Sequence, residues 1–366
     1  MSIKIAEIIN YLETLAPVAY QESYDNSGLI VGDKSLECTG VMVCLDSIEE
    51  VIQEAIQTNC NLVVAHHPIV FSGLKSITGK NYIERTLLKA IKNNIAIYAI
   101  HTNLDNVKQG VNQVICGKLG LRKTRILEPK YQSLSKFIVY GVAEDIEKIR
   151  TAIFSAGAGQ IGNYEECSYL MPGEGTFKPM KAANPTIGSV GTREKVSEYR
   201  LEALVPNHLV PAVLHAAKNA SSYEELAYDI IPLSNKNQDV GSGMFGELKS
   251  PMNYTDFLAL VKKTFRCGVI RYTKSDKTTI KKVAVCGGSG SFLLNKALGI
   301  GADAFITADF KYHQFFDAEN RLMITDIGHF ESEQFTIDFL AEKLKQKFST
   351  FAVRLTSVNT NPVNYY

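Results

Sequence analysis

The chain has 366 residues, 45% of them hydrophobic and 21% charged, a composition typical of a globular protein of two or three domains. Its 39 basic and 38 acidic side chains nearly balance, which excludes a globally basic nucleic-acid binder. The longest purely apolar run, residues 95–100, is too short to cross a membrane, and the seven cysteines form no CxxC pair. We therefore expect a cytoplasmic protein with reduced thiols, no membrane span and no strong nucleic-acid interaction.

Residues 1–130 alternate between helical and strand-like segments. Apolar side chains recur every three or four residues in the predicted helices, whereas the predicted strands are short continuous apolar runs. Ser47 and Glu50 have the spacing of a capping box at the start of one helix. The alternation favours a parallel sheet with helical crossovers. The predicted elements are helices at 5–15, 48–56 and 82–94 and strands at 40–45, 62–65 and 95–100.

A different pattern begins near residue 131. Strand-helix-strand occurs twice within residues 136–232, which predicts a small ferredoxin-like α+β domain. Beyond it the α/β alternation resumes, with strands at 282–286, 304–308 and 322–327 and a last helix from about Ser332. We therefore divide the chain into the first half of an α/β core with parallel-rich sheets (1–130), an inserted α+β domain (131–235) and the second half of the core (236–366).

Histidines and carboxylates follow three of the predicted strands. In open parallel sheets, ligand sites lie outside the carboxyl ends of the strands, so we expect these side chains at one sheet edge. Imidazole and carboxylate together suit Zn, Fe, Mn or Co, and the absence of nearby cysteine argues against a closed structural zinc site. The side chains concerned are His66, His67, His101, Asp105, His329 and Glu333.

The adjacent pair His66 and His67 needs a local explanation, because successive strand side chains point to opposite faces. Pro68 favours an extended His67, and the pleat need not persist at a strand end, so both imidazoles can approach two metals. A two-metal site also needs a bridging group, for which Asp105 is the natural candidate. The alternative is that one of the two histidines is a core or capping residue.

Glu333 extends the apolar stripe of the last helix by one turn. His329 shares this face if the helix begins there. A carboxylate in an apolar stripe is costly unless a cation meets it, and a metal ion would do so. The alternative is a first-turn glutamate that the helix dipole stabilises.

Three further features leave alternatives open. His101 is a candidate metal ligand, general acid or, as we favour, a residue that orients a ligand, and Asp25 is a candidate outer partner of the site. His313 is either a proton donor or anion-binding residue or an ordinary surface histidine. The glycine-rich segment 287–290 follows a strand and precedes a helix, which is typical of a phosphate-binding turn, but the interpretation that we favour is a tight strand-to-helix turn.

Several motifs together resemble the NIF-three-like family, whose members are widely labelled GTP cyclohydrolase 1 type 2 homologues. These motifs are YDNSG at 24–28, AHHP at 65–68, HTNLD at 101–105, GGSG at 287–290, GADAFITAD at 301–309 and GH at 328–329 with Glu333. The resemblance implies two divalent metal ions per chain and a toroidal hexamer whose sites face an internal cavity. The ligands that it implies are His66, His67, Asp105, His329 and Glu333.

The insert resembles the PII- or CutA-like domain of the longer bacterial members of this family. The resemblance lies in GAGQIGNYE at 157–165 and GEGTFKP at 173–179. Many members have a His-Pro-Tyr-Glu stretch late in the insert, whereas this chain has SSYE at 221–224. A metal or ligand role for that stretch is therefore not transferred to this chain.

Two classes of function are compatible with these features. The first is a metal-dependent hydrolase, such as a cyclohydrolase, that acts on a nucleotide or a related small phosphorylated heterocycle through activated water, with His101 as a candidate catalytic proton donor. The second is a non-enzymatic metal- or nucleotide-binding regulatory or protein-interaction module. Turnover that a chelator abolishes would distinguish the enzyme from the binding module.

Overall fold

A computed structural model describes residues 3–366 and divides the chain into two compact units. The first unit comprises residues up to 128 together with 239–366, and the second comprises residues 129–238. No helix among the described residues is long and apolar enough to cross a bilayer.

Strands alternate with helices along most of the described chain. The strands are β1 (Gly28–Val31), β2 (Val41–Asp46), β3 (Leu62–His67), β4 (Ala96–Ala99), β5 (Arg122–Lys130), β6 (Leu134–Gly141), β7 (Ser168–Phe177), β8 (Glu194–Pro206), β9 (Tyr228–Pro232), β10 (Asn237–Asn253), β11 (Arg271–Tyr272), β12 (Thr279–Ser289), β13 (Ala304–Ala308), β14 (Met323–Asp326) and β15 (Val353–Leu355). The α-helices are α1 (Ile5–Leu15), α2 (Glu49–Gln57), α3 (Tyr82–Lys92), α4 (Thr102–Asn106), α5 (Val111–Lys118), α6 (Ala143–Ser155), α7 (Val210–Ala220), α8 (Tyr254–Phe265), α9 (Leu294–Gly299), α10 (His329–Glu333) and α11 (Thr336–Lys347).

A five-stranded sheet forms one half of the first unit, in the order β1-β4-β3-β2-β15. All neighbours in it are parallel except β1, which pairs antiparallel with β4. Both faces are covered: Met42 and Cys44 of β2 belong to one apolar cluster, and Val41 and Val43 belong to another. The continuous apolar runs that predicted β2, β3 and β4 are those of strands buried on both faces.

A six-stranded sheet forms the other half, in the order β11-β14-β13-β12-β10-β5. Its centre, β12-β13-β14, is parallel, whereas β10 runs antiparallel to β12 and β11 runs antiparallel to β14. The predicted α/β core with parallel-rich sheets is therefore confirmed, but β10 was not predicted, because its buried residues alternate with glycine and polar residues. Gly246 of β10 allows close strand approach, since a Cβ there would lie 2.9 Å from the carbonyl oxygen of Arg122.

The predicted capping box at the start of α2 is wrong. The helix begins at Glu49, with Ile48 at the N-cap and no side-chain cap. Ser47 is buried, and its hydroxyl has no hydrogen-bond partner among residues 3–366. Glu49 and Glu50 instead place negative charge in the first turn, where the helix dipole stabilises it.

The second unit is a four-stranded antiparallel sheet with two helices, α6 and α7. The strand order β7-β8-β6-β9 places the first and last strands of the unit side by side, with Ser135 opposite Pro232. This order and the two strand-helix-strand repeats are those of a ferredoxin-like fold. Its apolar core includes Phe137, Ile149 and Val213, which are fully buried.

Candidate metal centre

The strand β3 ends in two histidines whose rings both turn toward the same point. Their ring centroids are 4.9 Å apart, and the Nε2 atoms of both lie near the carboxylate of Glu333. The ring of His66 is fully buried, and its Nδ1 donates to the carbonyl oxygen of Ile100 at 2.8 Å. Because Nδ1 carries the proton, Nε2 of His66 presents a lone pair to the site.

The helix α10 brings His329 and Glu333 to this point from the six-stranded half. The helix begins at His329, immediately after Gly328, whose φ of 94° permits the sharp entry from β14. One helical turn separates the two side chains, and Nε2 of His329 lies 3.1 Å from Oε2 of Glu333. The sequence predicted that His329 and Glu333 share one helix face if the helix begins at His329, and α10 does begin at this residue.

The expectation that all three strand ends belong to one sheet edge is wrong. β3 and β4 belong to the five-stranded sheet, whereas β14 belongs to the six-stranded sheet. The chain leaves β4 through α4 and α5 and begins the second sheet with β5, which the sequence pattern did not indicate. The carboxyl ends of the parallel strands in both sheets nevertheless contribute side chains to one site.

Glu333 is the centre of the cluster. Its Oε2 lies 3.0 Å from Nε2 of His67, and its Oε1 lies 3.8 Å from Nε2 of His66. Within the described chain, His66, His67 and Glu333 form a group whose ligand atoms lie within 4.8 Å of one another, close enough to hold one metal ion.

Asp105, from α4, supplies a second carboxylate beside His66. Its Oδ1 lies 3.7 Å from Nε2 of His66, too far for a hydrogen bond. Both atoms are buried, and neither has a hydrogen-bond partner among residues 3–366. Buried polar atoms normally have partners, so these two atoms fit a bound cation between the histidine and the carboxylates.

The titration of the cluster points to the same conclusion. Burial and the neighbouring charge of Glu333 raise the pKa of Asp105 to about 7. Burial alone would lower the pKa of His67, but hydrogen bonds to Asp46 and Glu333 raise it to about 10. Burial alone would also lower the pKa of His329, but Glu333 and Asp309 raise it to about 11. The carboxylates therefore attract positive charge, which protons supply when no metal ion does.

Two aspartates orient histidines of the cluster by hydrogen bonds to Nδ1, the ring nitrogen that faces away from the cluster. Oδ1 of Asp46 accepts from Nδ1 of His67 at 2.8 Å, and Oδ2 of Asp309 accepts from Nδ1 of His329 at 2.7 Å. Such contacts fix the imidazole and leave Nε2 for a metal, which is the usual arrangement around ligating histidines. We did not single out either aspartate from the sequence, although both directly end or follow a parallel strand, as the histidines do.

His101 lies in the same cluster, with its ring centroid 5.4 Å from that of His66 and 5.3 Å from that of His67. Asp25, the suggested outer partner, contacts it directly: Oδ1 of Asp25 accepts from Nδ1 of His101 at 2.7 Å. Oδ2 of Asp25 also accepts from the amide of Thr102. An aspartate thus holds His101 at the site, as it does His67 and His329.

His313 does not share this environment. It is exposed on a short 3-10 helix, where its ring stacks beside Phe316 with centroids 6.4 Å apart. This geometry favours the surface-histidine interpretation.

The glycine-rich segment 287–290 makes room for Glu333. A Cβ at Gly288, which has a φ of 60°, would lie 2.4 Å from Oε1 of Glu333. The amide of Gly287 donates to Asn112, and the amide of Gly288 donates to Ser332. Because these two amides have partners within the protein, the segment is a tight connection that packs against the site, and they are not available to a phosphate.

The cluster opens into a cavity of about 750 Å³ within the first unit. Its wall combines aromatic rings with many carboxylates. The described residues that line it include the aromatic residues Tyr24, Phe71, Phe292, Phe330 and Tyr365 and the acidic residues Glu22, Asp46, Asp105, Asp309, Asp326, Glu331 and Glu333.

Together, the two-sheet fold and the histidine–carboxylate cluster define an α/β protein with a potential metal site at the carboxyl ends of its parallel strands. A profile of the Duf34/NIF3 (NGG1p interacting factor 3) family matches residues 3–362. The chain therefore belongs to the Duf34/NIF3 family, and the resemblance found in its motifs is confirmed.

Relatives match over nearly the whole chain. The GTP cyclohydrolase 1 type 2 homolog of Bacillus subtilis is 37% identical, over 100% of this chain and 99% of the relative. A protein of the same name from Halalkalibacterium halodurans is 38% identical, over 98% of both chains. The crystal structure of a Bacillus cereus protein related to NIF3 is 35% identical, with a TM-score of 0.87 and complete coverage of both chains.

Proposed function

We propose that the protein binds two divalent metal ions and acts as a hydrolase on a nucleotide or a related small phosphorylated heterocycle. The observation that carries this proposal is the convergence of three imidazoles on Glu333, beside the unpartnered atoms Nε2 of His66 and Oδ1 of Asp105. The name shared by the two relatives, GTP cyclohydrolase 1 type 2 homolog, supports the reaction class.

Five side chains would hold the metal ions. Imidazole nitrogen with carboxylate oxygen suits Zn, Fe, Mn or Co, and the two carboxylates are suitable for bridging. Divalent ions held there would polarise a substrate oxygen and acidify water. The five side chains are His66, His67, Asp105, His329 and Glu333.

His101 would transfer the proton. Burial alone would raise the pKa of Asp25, but hydrogen bonds from His101 and Thr102 hold it well below its usual range, so this carboxylate stays ionised. It fixes the Nδ1 proton of His101 and leaves Nε2 to exchange a proton with substrate or water. In this role, replacing His101 would remove turnover and leave the metal bound.

A second candidate is a non-enzymatic metal- or nucleotide-binding regulatory or protein-interaction module. The description of the family as an interacting factor favours it. Such a module would bind metal and nucleotide at the same site without forming product.

Metal analysis of the purified protein, combined with nucleotide hydrolysis assays, tests both candidates. A hydrolase should contain up to two divalent metals per chain and should lose turnover on chelation and in the Asp105→Asn variant. Nucleotide binding without product would favour the regulatory module. Protein that takes up no divalent metal would contradict the hydrolase and a metal-binding module.

The family resemblance also supports a cytoplasmic toroidal homohexamer as the working form. Analytical ultracentrifugation should then give six times the mass of the chain. A monomer at micromolar concentration would contradict this assembly.

A further inference from the structure

Two exposed aromatic rings stand at the opening of the metal-site cavity. Tyr24 is 60% exposed and Phe71 is 51% exposed, although both line the cavity wall. Their ring centroids are 6.3 Å apart with an interplanar angle of 33°, and the ring of Phe71 lies 6.1 Å from that of His101. A flat molecule that stacked on this pair would thus lie next to the histidine cluster.

The aromatic pair is held in place by the loops that carry it. Nδ2 of Asn26 donates to the carbonyl oxygen of Val70 at 2.7 Å, which ties the residues beside Tyr24 to those beside Phe71. Asp25, next to Tyr24, is fastened to His101 and Thr102. Because these contacts hold the backbone that carries both rings before a ligand arrives, stacking would require ordering of the two side chains but not of the loops.

The charge of the cavity wall is unfavourable for polyphosphates. Seven carboxylates line the cavity, whereas Arg271 is the only lysine or arginine among the described lining residues. Arg271 is itself paired with Asp326. Two divalent cations together with this arginine would still not offset seven carboxylates, so several phosphates of one ligand would meet net negative charge.

We propose that Tyr24 and Phe71 form a stacking subsite for the planar ring of a nucleobase or nucleoside, and that the cavity selects the ring rather than a triphosphate. This inference rests on the proposed function and shifts its substrate class from phosphorylated compounds toward the unphosphorylated base or nucleoside. Offset stacking between aromatic rings is favourable. The N–H groups of a nucleobase can also donate hydrogen bonds to carboxylates of the cavity wall. A triphosphate would add only acceptors and negative charge.

Calorimetric titration of the zinc-loaded, full-length protein with guanosine, guanosine monophosphate and GTP tests this inference at about 0.15 M salt. We expect guanosine to bind at least tenfold more tightly than GTP, with the metal content unchanged after each titration. Tyr24→Leu and Phe71→Leu should each weaken guanosine binding about tenfold, as expected for the loss of one stacked ring. Phe71→Tyr, which keeps the ring, should bind as the unaltered protein does.

Phe316→Leu is the matched control, because Phe316 is equally exposed and lies on the short 3-10 helix that also carries His313. It should leave guanosine binding unchanged. The inference is overturned if guanosine does not bind, if GTP binds as tightly as guanosine, or if the two leucine variants bind guanosine normally.

The same samples distinguish this inference from the proposed hydrolase. Ring-selective binding without product from any nucleotide would contradict the hydrolase and support the subsite. Chelator-sensitive turnover of GTP that is unaffected in both leucine variants would support the hydrolase and overturn the subsite.

Discussion

The two units of the chain differ in a buried carboxylate that each contains, Asp145 in the second unit and Asp105 in the first. Among residues 129–238, the one buried ionisable side chain is Asp145, which accepts from the amide of Ser222 and pairs with Lys148. In the first unit, Nε2 of His66 and Oδ1 of Asp105 are buried without hydrogen-bond partners, and both lie beside the buried carboxylate of Glu333.

The difference indicates that Asp145 stabilises the fold of its own unit, whereas the carboxylates of the cluster are suited to bind a ligand. Asp145 is satisfied by its own unit, and its hydrogen bond to Ser222 holds its pKa below the usual range. Burial and the charge of Glu333 instead raise the pKa of Asp105, whereas burial of Glu333 is outweighed by three neighbouring histidines, which hold its pKa well below the usual range. Natural proteins accept the cost of burying such carboxylates mainly at functional sites.

The largest expected effect is that of Glu333→Ala. Glu333 contacts three imidazoles, so its removal should abolish at least one bound metal per chain while leaving the fold intact. Elemental analysis of the purified variant measures the loss, and circular dichroism checks the fold. Glu342→Ala, an exposed glutamate of α11, is the control and should keep its metal. Undiminished metal in Glu333→Ala would remove this residue from the site.

A smaller loss is expected when a supporting aspartate is changed. Asp309→Asn keeps the size of the side chain but weakens its hold on Nδ1 of His329, which should reduce metal affinity about 10- to 100-fold. Asp145→Asn makes the same change in the second unit and should lower the melting temperature without changing metal affinity. Competition with a chromophoric chelator measures both affinities. Equal affinities in the two variants would mean that Asp309 plays no part in metal binding.

Metal loading should release protons. In the metal-free protein, His67 and His329 stay protonated up to pH values near 10 and 11, because neighbouring carboxylates raise their pKa values. Ligating imidazole must be neutral, so binding at pH 8 should release up to about two protons per chain. Calorimetry in two buffers of different ionisation enthalpy counts them.

Competition between protons and metal for these histidines also sets the direction in which metal binding depends on pH. Metal affinity should fall steadily as the solution is acidified from pH 8, because protons compete with the metal for His67 and His329 at every pH below their raised pKa values of about 10 and 11. Occupancy that persisted to about pH 4 against a competing chelator would contradict a histidine-rich site.

Removal of the whole inserted domain is expected to have the smallest effect on metal binding. Joining Glu128 to about Gln238 by a short Gly/Ser linker removes the insert, and all five proposed ligands lie outside the cut. The junction lies in β5 and β10, which are neighbours in the six-stranded sheet, so the closed loop is short. The shortened chain should stay folded and keep its metal by elemental analysis. Unfolded or metal-free protein would show that the insert belongs to the core.

The sequence indicated the histidines and both carboxylates of the cluster because each follows a recognisable parallel strand. His329 and Glu333 also have the spacing of one helical turn, and α10 begins where that spacing requires. Asp46 and Asp309 could have been found by the same strand-end rule, since they end β2 and follow β13.

Other features depend on tertiary packing, which local patterns do not encode. The strand β10 contains Gly246 where the chain at β5 approaches it closely, and glycine within a strand weakens the strand pattern in the sequence. Ser47 has the spacing of a cap, yet the backbone makes Ile48 the N-cap. Thr360, near the C-terminus, donates to Asp46 behind His67 across more than 300 residues of sequence, a contact that no local pattern predicts.

The cluster draws its side chains from two sheets that share no strand. His66 and His67 end a strand of one sheet, whereas His329 and Glu333 follow a strand of the other. An ion coordinated by side chains from both sheets would therefore link the two sheets of the first unit. Its binding free energy would stabilise the folded state of that unit. Metal loading would then raise the free energy of unfolding of the first unit, and the metal-free protein would be the form more open to proteolysis.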